Sequence, residues 1–127
     1  MSWQMQIFFN STDNAKVTLS KLAALWQISF QECPGSNTFR FFRYSGLGLS
    51  IYFFDQHDLE DDINLEFSKY SYQLEIEAHS PTHNYKKFVH EATHYWATQM
   101  FRQYGWKSMI VEDVQKFVTE IPDPSYY

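Results

Sequence analysis

A chain of 127 residues, 44% hydrophobic and with 12 Phe, 9 Tyr and 4 Trp, is too apolar and aromatic to be disordered and long enough for one core that needs no staples. Its formal net charge of −5 is concentrated in residues 55–79, where eight acids meet Lys69 alone; phosphate binding needs clustered Lys and Arg, so nucleic acid is excluded as the expected partner and a basic protein is favoured. The single cysteine, Cys33, excludes an intrachain disulfide and a four-cysteine zinc site.

The opening "MSWQMQIFFN" lacks the basic start and long apolar run of a secretory signal. No stretch approaches the ~18 apolar residues of a membrane span. A cytoplasmic chain without membrane contact is therefore expected. Residues 4–9 form a short apolar run closed by the turn-forming "NSTDN", which predicts a first strand. Ala15, Leu19, Leu22, Leu25, Trp26 and Ser29 then recur three or four apart, predicting a helix over about 13–29, with Thr12 or Asp13 as its cap.

After "CPGSN", the segments "TFRFFRY" and "LGLSIYFF" flank Ser45-Gly46, a pair suited to a two-residue hairpin turn. The acidic "DQHDLEDD" follows as a loop. In "INLEFSKYSYQLEIEA" the apolar positions are odd at Ile63, Leu65 and Phe67 but even at Tyr70, Tyr72, Leu74 and Ile76. That slip is met either by a hairpin turn at Ser68-Lys69 or by a bulge in one long strand. Helical spacing returns over 84–104 and stops at Gly105, a natural residue just past a helix end. "WKSMIV" reads as a final strand and "EDVQKFVTEI" as a short helix before two prolines. The order defines a single α+β domain over residues 1–127: a mainly antiparallel sheet of four to six strands with two principal helices on one face.

"VHEATHYW" contains H-E-x-x-H and so resembles the zinc metallopeptidases over residues 90–94. Histidines four apart share one side of a helix and can hold one Zn²⁺, with the adjacent Glu activating water. The resemblance implies His90 and His94 as ligands, Glu91 as general base, and Asp113, beside Glu112, as the third ligand. Helical geometry weighs against it. With Tyr85 at zero, Phe88, Val89, Ala92, Trp96 and Met100 fall within about 60° of the stripe expected to face the core, while the histidines fall at about 140° and 180°. They are expected to point away from the sheet, so no zinc or other cofactor is expected, and a non-enzymatic role is favoured.

The loop from Asp55 to Glu66 fails as a calcium-binding EF-hand, since His57, Leu59 and Glu60 stand where ligands and a glycine are required. Its six carboxylates instead make a local negative potential that attracts basic proteins. Aromatic residues at 39, 41, 42 and 44 and again at 52–54 exceed what one buried face requires, so a sheet with aromatics on both faces is expected.

The size, the acidic "DQHDLEDDINLE", the aromatic sheet and the ending "MFRQYGWKSMIVED", a helix–Gly–strand–acid arrangement, together resemble bacterial immunity proteins of polymorphic and contact-dependent toxin systems. That resemblance implies an inhibitor occupying the basic active-site surface of a toxin, often a nuclease. In this chain Asp55, Asp58, Glu60, Asp61, Asp62 and Glu66 would meet the partner's Lys and Arg, with Tyr52 and Tyr70 as anchors. The competing readings are a small zinc hydrolase and a structural subunit of a larger assembly.

Overall fold

A computed structural model describes residues 3–33, 41–55, 66–79 and 82–122. In chain order these form β1 (Trp3–Phe9), α1 (Ala15–Trp26), β2 (Gln31–Cys33), β3 (Phe41–Gly46), β4 (Leu49–Phe54), a 3₁₀ turn (Phe67–Lys69), β5 (Tyr72–Ala78), α2 (His83–Tyr104), β6 (Ser108–Glu112) and β7 (Lys116–Ile121). The strands make one sheet in the order β2-β3-β4-β5-β1-β6-β7, with every neighbouring pair antiparallel. The α+β reading holds, with seven strands among the described residues where four to six were expected.

Strand alternation assigns the two faces. Trp3, Met5, Ile7 and Phe9 of β1 join Tyr72, Leu74, Ile76 and Ala78 of β5 and Leu49, Ile51 and Phe53 of β4 in the main core. Both helices close this core, through Leu22 of α1 and Val89, Ala97 and Met100 of α2. Their mutual contact runs through Trp26 and Trp96, with ring centroids 5.4 Å apart, and a hydrogen bond of 3.0 Å from the Tyr104 hydroxyl to the Lys21 carbonyl. On the other face, Phe8 packs with Met109, Val111 and Phe67 of the 3₁₀ turn. Burial of β1 from both sides explains why Ile7, Phe8 and Phe9 form a continuous apolar run.

The helix ends follow local chemistry. α2 starts at Thr82, whose hydroxyl accepts from the Tyr85 N–H at 3.3 Å, and ends at Gly105 with φ 74°. For α1 the cap is Asn14, which accepts from the Val17 N–H at 2.9 Å. Asp13, one of the two expected caps, instead pairs with Lys21 at 2.6 Å.

Three local expectations are corrected. The β3–β4 turn is Leu47-Gly48, two residues beyond Ser45-Gly46, with φ of 54° and 77°. A Cβ at Gly46 would lie 2.5 Å from the Tyr44 hydroxyl, so any side chain there would require the Tyr44 ring to shift. Ser68 and Lys69 belong to neither a hairpin turn nor a bulged strand but to the 3₁₀ turn; residues 56–65 lie outside the described residues. "EDVQKFVTEI" is not a helix. Asp113 and Val114, with φ of 49° and 59°, make a tight turn closed by Gln115 N–H to Glu112 C=O at 3.0 Å, and β7 follows. β1 holds that turn: Asp113 Oδ1 accepts from the Gln4 N–H at 3.1 Å, and Gln6 Oε1 accepts from the Val114 N–H at 2.8 Å.

Asn10 anchors the 3₁₀ turn. Its amide donates to the Lys69 carbonyl at 2.6 Å, and its Oδ1 accepts from the Ser71 N–H at 2.9 Å and hydroxyl at 3.2 Å. Asn10→Ala is expected to lower stability by about 1–2 kcal/mol. Amide hydrogen exchange should speed up at Ser71 and around the turn before the helices. Unchanged protection there would show that the apolar contacts of Phe67 alone hold the turn.

Candidate partner-binding face

Neither helix covers the second face of the sheet. Its polar half is written in two short alternations, "WQMQ" on β1 and "LEIE" on β5, where every second residue is a glutamine or glutamate. Register sets these side chains in two rows. Gln6 stands opposite Glu75, Glu75 opposite Tyr52, and Tyr52 opposite Arg43; Gln4 stands opposite Glu77, Glu77 opposite Ser50, and Ser50 opposite Ser45.

Hydrogen bonds tie the rows together. Gln6 Nε2 donates to Glu75 Oε1 at 3.4 Å and to Gln4 Oε1 at 3.3 Å, and Gln4 Nε2 donates to Glu77 Oε2 at 3.5 Å. These are long contacts, so they orient the carboxylates more than they neutralise them. Burial, opposed by the Gln6 hydrogen bond and reinforced by the charge of Glu77, pushes the Glu75 carboxyl above its ordinary pKa. Among the described residues no lysine or arginine forms an ion pair with either glutamate. Beside them Tyr52 stacks on Phe54, with centroids 6.3 Å apart, and the Arg43 guanidinium lies 5.7 Å from the Tyr52 ring centroid. Ser50, fully buried, bonds His79 Nε2 at 2.7 Å and Ser45 Oγ at 3.1 Å. A buried hydroxyl of this kind orders the end of the sheet and is poorly placed to attack a substrate.

The residues expected to bind a partner are placed unevenly. Tyr52 lies on this face, half-buried. Tyr70 is also half-buried and packs on the Phe8–Phe67 cluster, where burial and the nearby Glu120 raise its hydroxyl pKa. Asp55 closes β4 with one carboxylate oxygen buried and without a hydrogen-bond partner. Glu66 is exposed and ion-paired with Lys69. Asp58, Glu60, Asp61 and Asp62 lie outside the described residues. Glu75 and Glu77 were visible only as members of the acidic segment. The signal that singles them out is their alternation with Leu74 and Ile76.

The H-E-x-x-H helix sits differently from its expected orientation. The buried positions are Val89, Thr93, Ala97 and Met100, a line rotated about 75° toward the histidines from the one expected. Small side chains let α2 approach the sheet closely, and Thr93 satisfies its hydroxyl on the Val89 carbonyl at 2.7 Å. His90 therefore does not point away: it is half-buried and lines a shallow cleft with Trp3 and Glu112. Burial, and next the neighbouring His94, lower its pKa, while Glu112 acts in the opposite sense. The two imidazoles lie 4.8 Å apart, and His94 Nδ1 is bonded to the His90 carbonyl at 2.9 Å. Glu91 is exposed. Asp113, the expected third ligand, is committed to its turn, and among the described residues no group of three His, Cys, Asp or Glu side chains is placed to hold a metal ion.

The site so defined is a sheet face that sets two carboxylates, bonded to Gln4 and Gln6, beside aromatic rings. Compared with known protein families, curated proteins and solved structures, the chain matches none. Among the described residues no helix is long and apolar enough to cross a membrane.

Proposed function

We propose that the chain is a binding protein that engages a basic protein partner through the face of its sheet opposite α1 and α2, and that it acts in the cytoplasm as an inhibitor, in the manner of an immunity protein covering the basic active-site surface of a toxin. The observation that carries this reading is the pair Glu75 and Glu77. Two carboxylates two residues apart on one strand repel each other, and burial makes the charge on Glu75 harder still to sustain. A partner's Lys or Arg would relieve both penalties at once. The acidic stretch at residues 55–66 belongs to the same segment of sequence and adds long-range attraction.

The zinc-hydrolase alternative draws less support, because Asp113, its expected third ligand, is committed to its turn and among the described residues no group of three His, Cys, Asp or Glu side chains is placed to hold a metal ion.

Capture from a lysate of the native host tests the proposal. Immobilised protein should retain a basic protein at low salt and release it above about 0.5 M, where screening shortens the reach of charge to a few ångströms. The captured protein's own activity should fall on adding the chain back. Retention that ignores salt, or an unaffected partner, would count against the inhibitor reading.

A further inference from the structure

The aromatic side chains that α2 does not bury in the core are not scattered. Of the large hydrophobic residues exposed among the described residues, Leu47, Phe88 and Tyr95 border one cavity, which lies between the β3–β4 hairpin and both helices. This cavity is on the helix side, opposite the face bearing Glu75, so the inference goes beyond the proposed function. Its volume is about 380 Å³, inside the range of about 300–1,000 Å³ typical of small-molecule sites. Trp26 and Trp96 form part of its wall, and among the described residues no charged side chain lines it. Gln99, Tyr44, Tyr95 and the two tryptophans are the described lining residues with polar side-chain atoms.

Leu47 is the second, independent observation. It is 87% exposed and has φ 54°, the left-handed region that favours Gly, Asn and Asp. Neither burial nor backbone conformation selects leucine at this tip. The hairpin is held against α2 by the hydrogen bond from the Tyr85 hydroxyl to the Leu47 carbonyl, which would serve any residue equally. What only leucine provides is apolar surface at the lip of the cavity.

We infer that this cavity binds an uncharged, largely apolar small molecule, with Leu47 closing over it from the hairpin and Phe88 and Tyr95 from α2. A concave site enclosed by three elements fits a small ligand better than the flat surface of a protein. The apolar character of its described lining selects a neutral ligand, since an ion against those side chains would lose its hydration uncompensated.

The test uses the full chain and the neutral dye N-phenyl-1-naphthylamine, with dye fluorescence and tryptophan quenching as readouts. Saturable one-to-one binding by monomeric protein is expected. Leu47→Asn and Phe88→Asp should each weaken it by about tenfold, the loss expected when one apolar side chain no longer covers the ligand. Leu47→Asn should leave the melting temperature unchanged or raised, because asparagine suits the turn, so lost binding will not be lost folding. Val17→Asp and Phe117→Asp, which remove exposed hydrophobic residues elsewhere, should bind as the wild type does. Absence of saturable binding, equal weakening by the Val17 and Phe117 variants, or uptake only on dimerisation would each overturn the assignment.

Discussion

Truncating Phe9 to alanine is expected to lower folding stability by about 3–5 kcal/mol, the largest loss from any single substitution considered for this chain. Phe9 is fully buried on the interior strand β1, and its ring centroid lies 5.4 Å from Trp106, 5.5 Å from Tyr72 and 6.4 Å from Phe53. These partners belong to β4, β5 and the approach to β6, so one ring joins both halves of the sheet. Removing it forfeits the transfer free energy of a phenyl group and leaves a void between side chains already committed to one another. A domain of this size has a total stability of about 5–15 kcal/mol, so much of it is at stake. Urea unfolding followed by tryptophan fluorescence measures the loss. Phe117→Ala, on an exposed side chain of the edge strand, should by contrast shift stability by no more than about 0.5 kcal/mol. Similar losses for the two variants would mean that the aromatic cluster is not the centre of the core.

The elements most readable in the sequence were those whose chemistry is local. α2 is bounded within a residue because its helical spacing is regular and Gly105 is a strong terminal signal, and β1 because "QIFFN" ends at a polar turn. The β6–β7 turn could not be read, since Asp113-Val114 carries no glycine and a β-branched residue is a poor choice for positive φ. It forms because Gln4 and Gln6, more than 100 residues away, supply its hydrogen bonds. The orientation of α2 was misjudged for a related reason. Large aromatics dominate a hydrophobicity pattern, but closeness of packing favours Val89, Thr93 and Ala97, and leaves Phe88 and Tyr95 for the cavity. Likewise, Glu75 and Glu77 became distinct from the other acids only once register placed them beside Gln6 and Tyr52.

Those two glutamates give the sharpest test of function, because neutralising them should move stability and binding in opposite directions. The Glu75 carboxyl has its pKa raised in the folded protein, chiefly by burial. An acid with a raised pKa holds its proton more tightly when folded, so its contribution to stability is complete below the unfolded pKa and is lost as pH rises through the folded one. At pH 7 the ionised side chain is therefore a burden on the fold. Glu75→Gln keeps an acceptor for Gln6 Nε2 and removes that burden, and Glu77→Gln removes the adjoining repulsion. The double variant should melt at a higher temperature than the wild type at pH 7, with the difference shrinking as pH falls toward 4. For the captured partner the same substitutions should weaken binding by about 2–5 kcal/mol, or roughly 30-fold to several thousand-fold, if both carboxylates meet cations in the interface. The dependence of affinity on salt should flatten with it. A role confined to holding the sheet together predicts the reverse for stability, a loss on substitution at pH 7. On the proposed function, carboxylates that burden the fold, on a face that neither helix covers, are offset by the cations of the partner. A double variant that is less stable and binds as well as the wild type would remove that explanation for their presence.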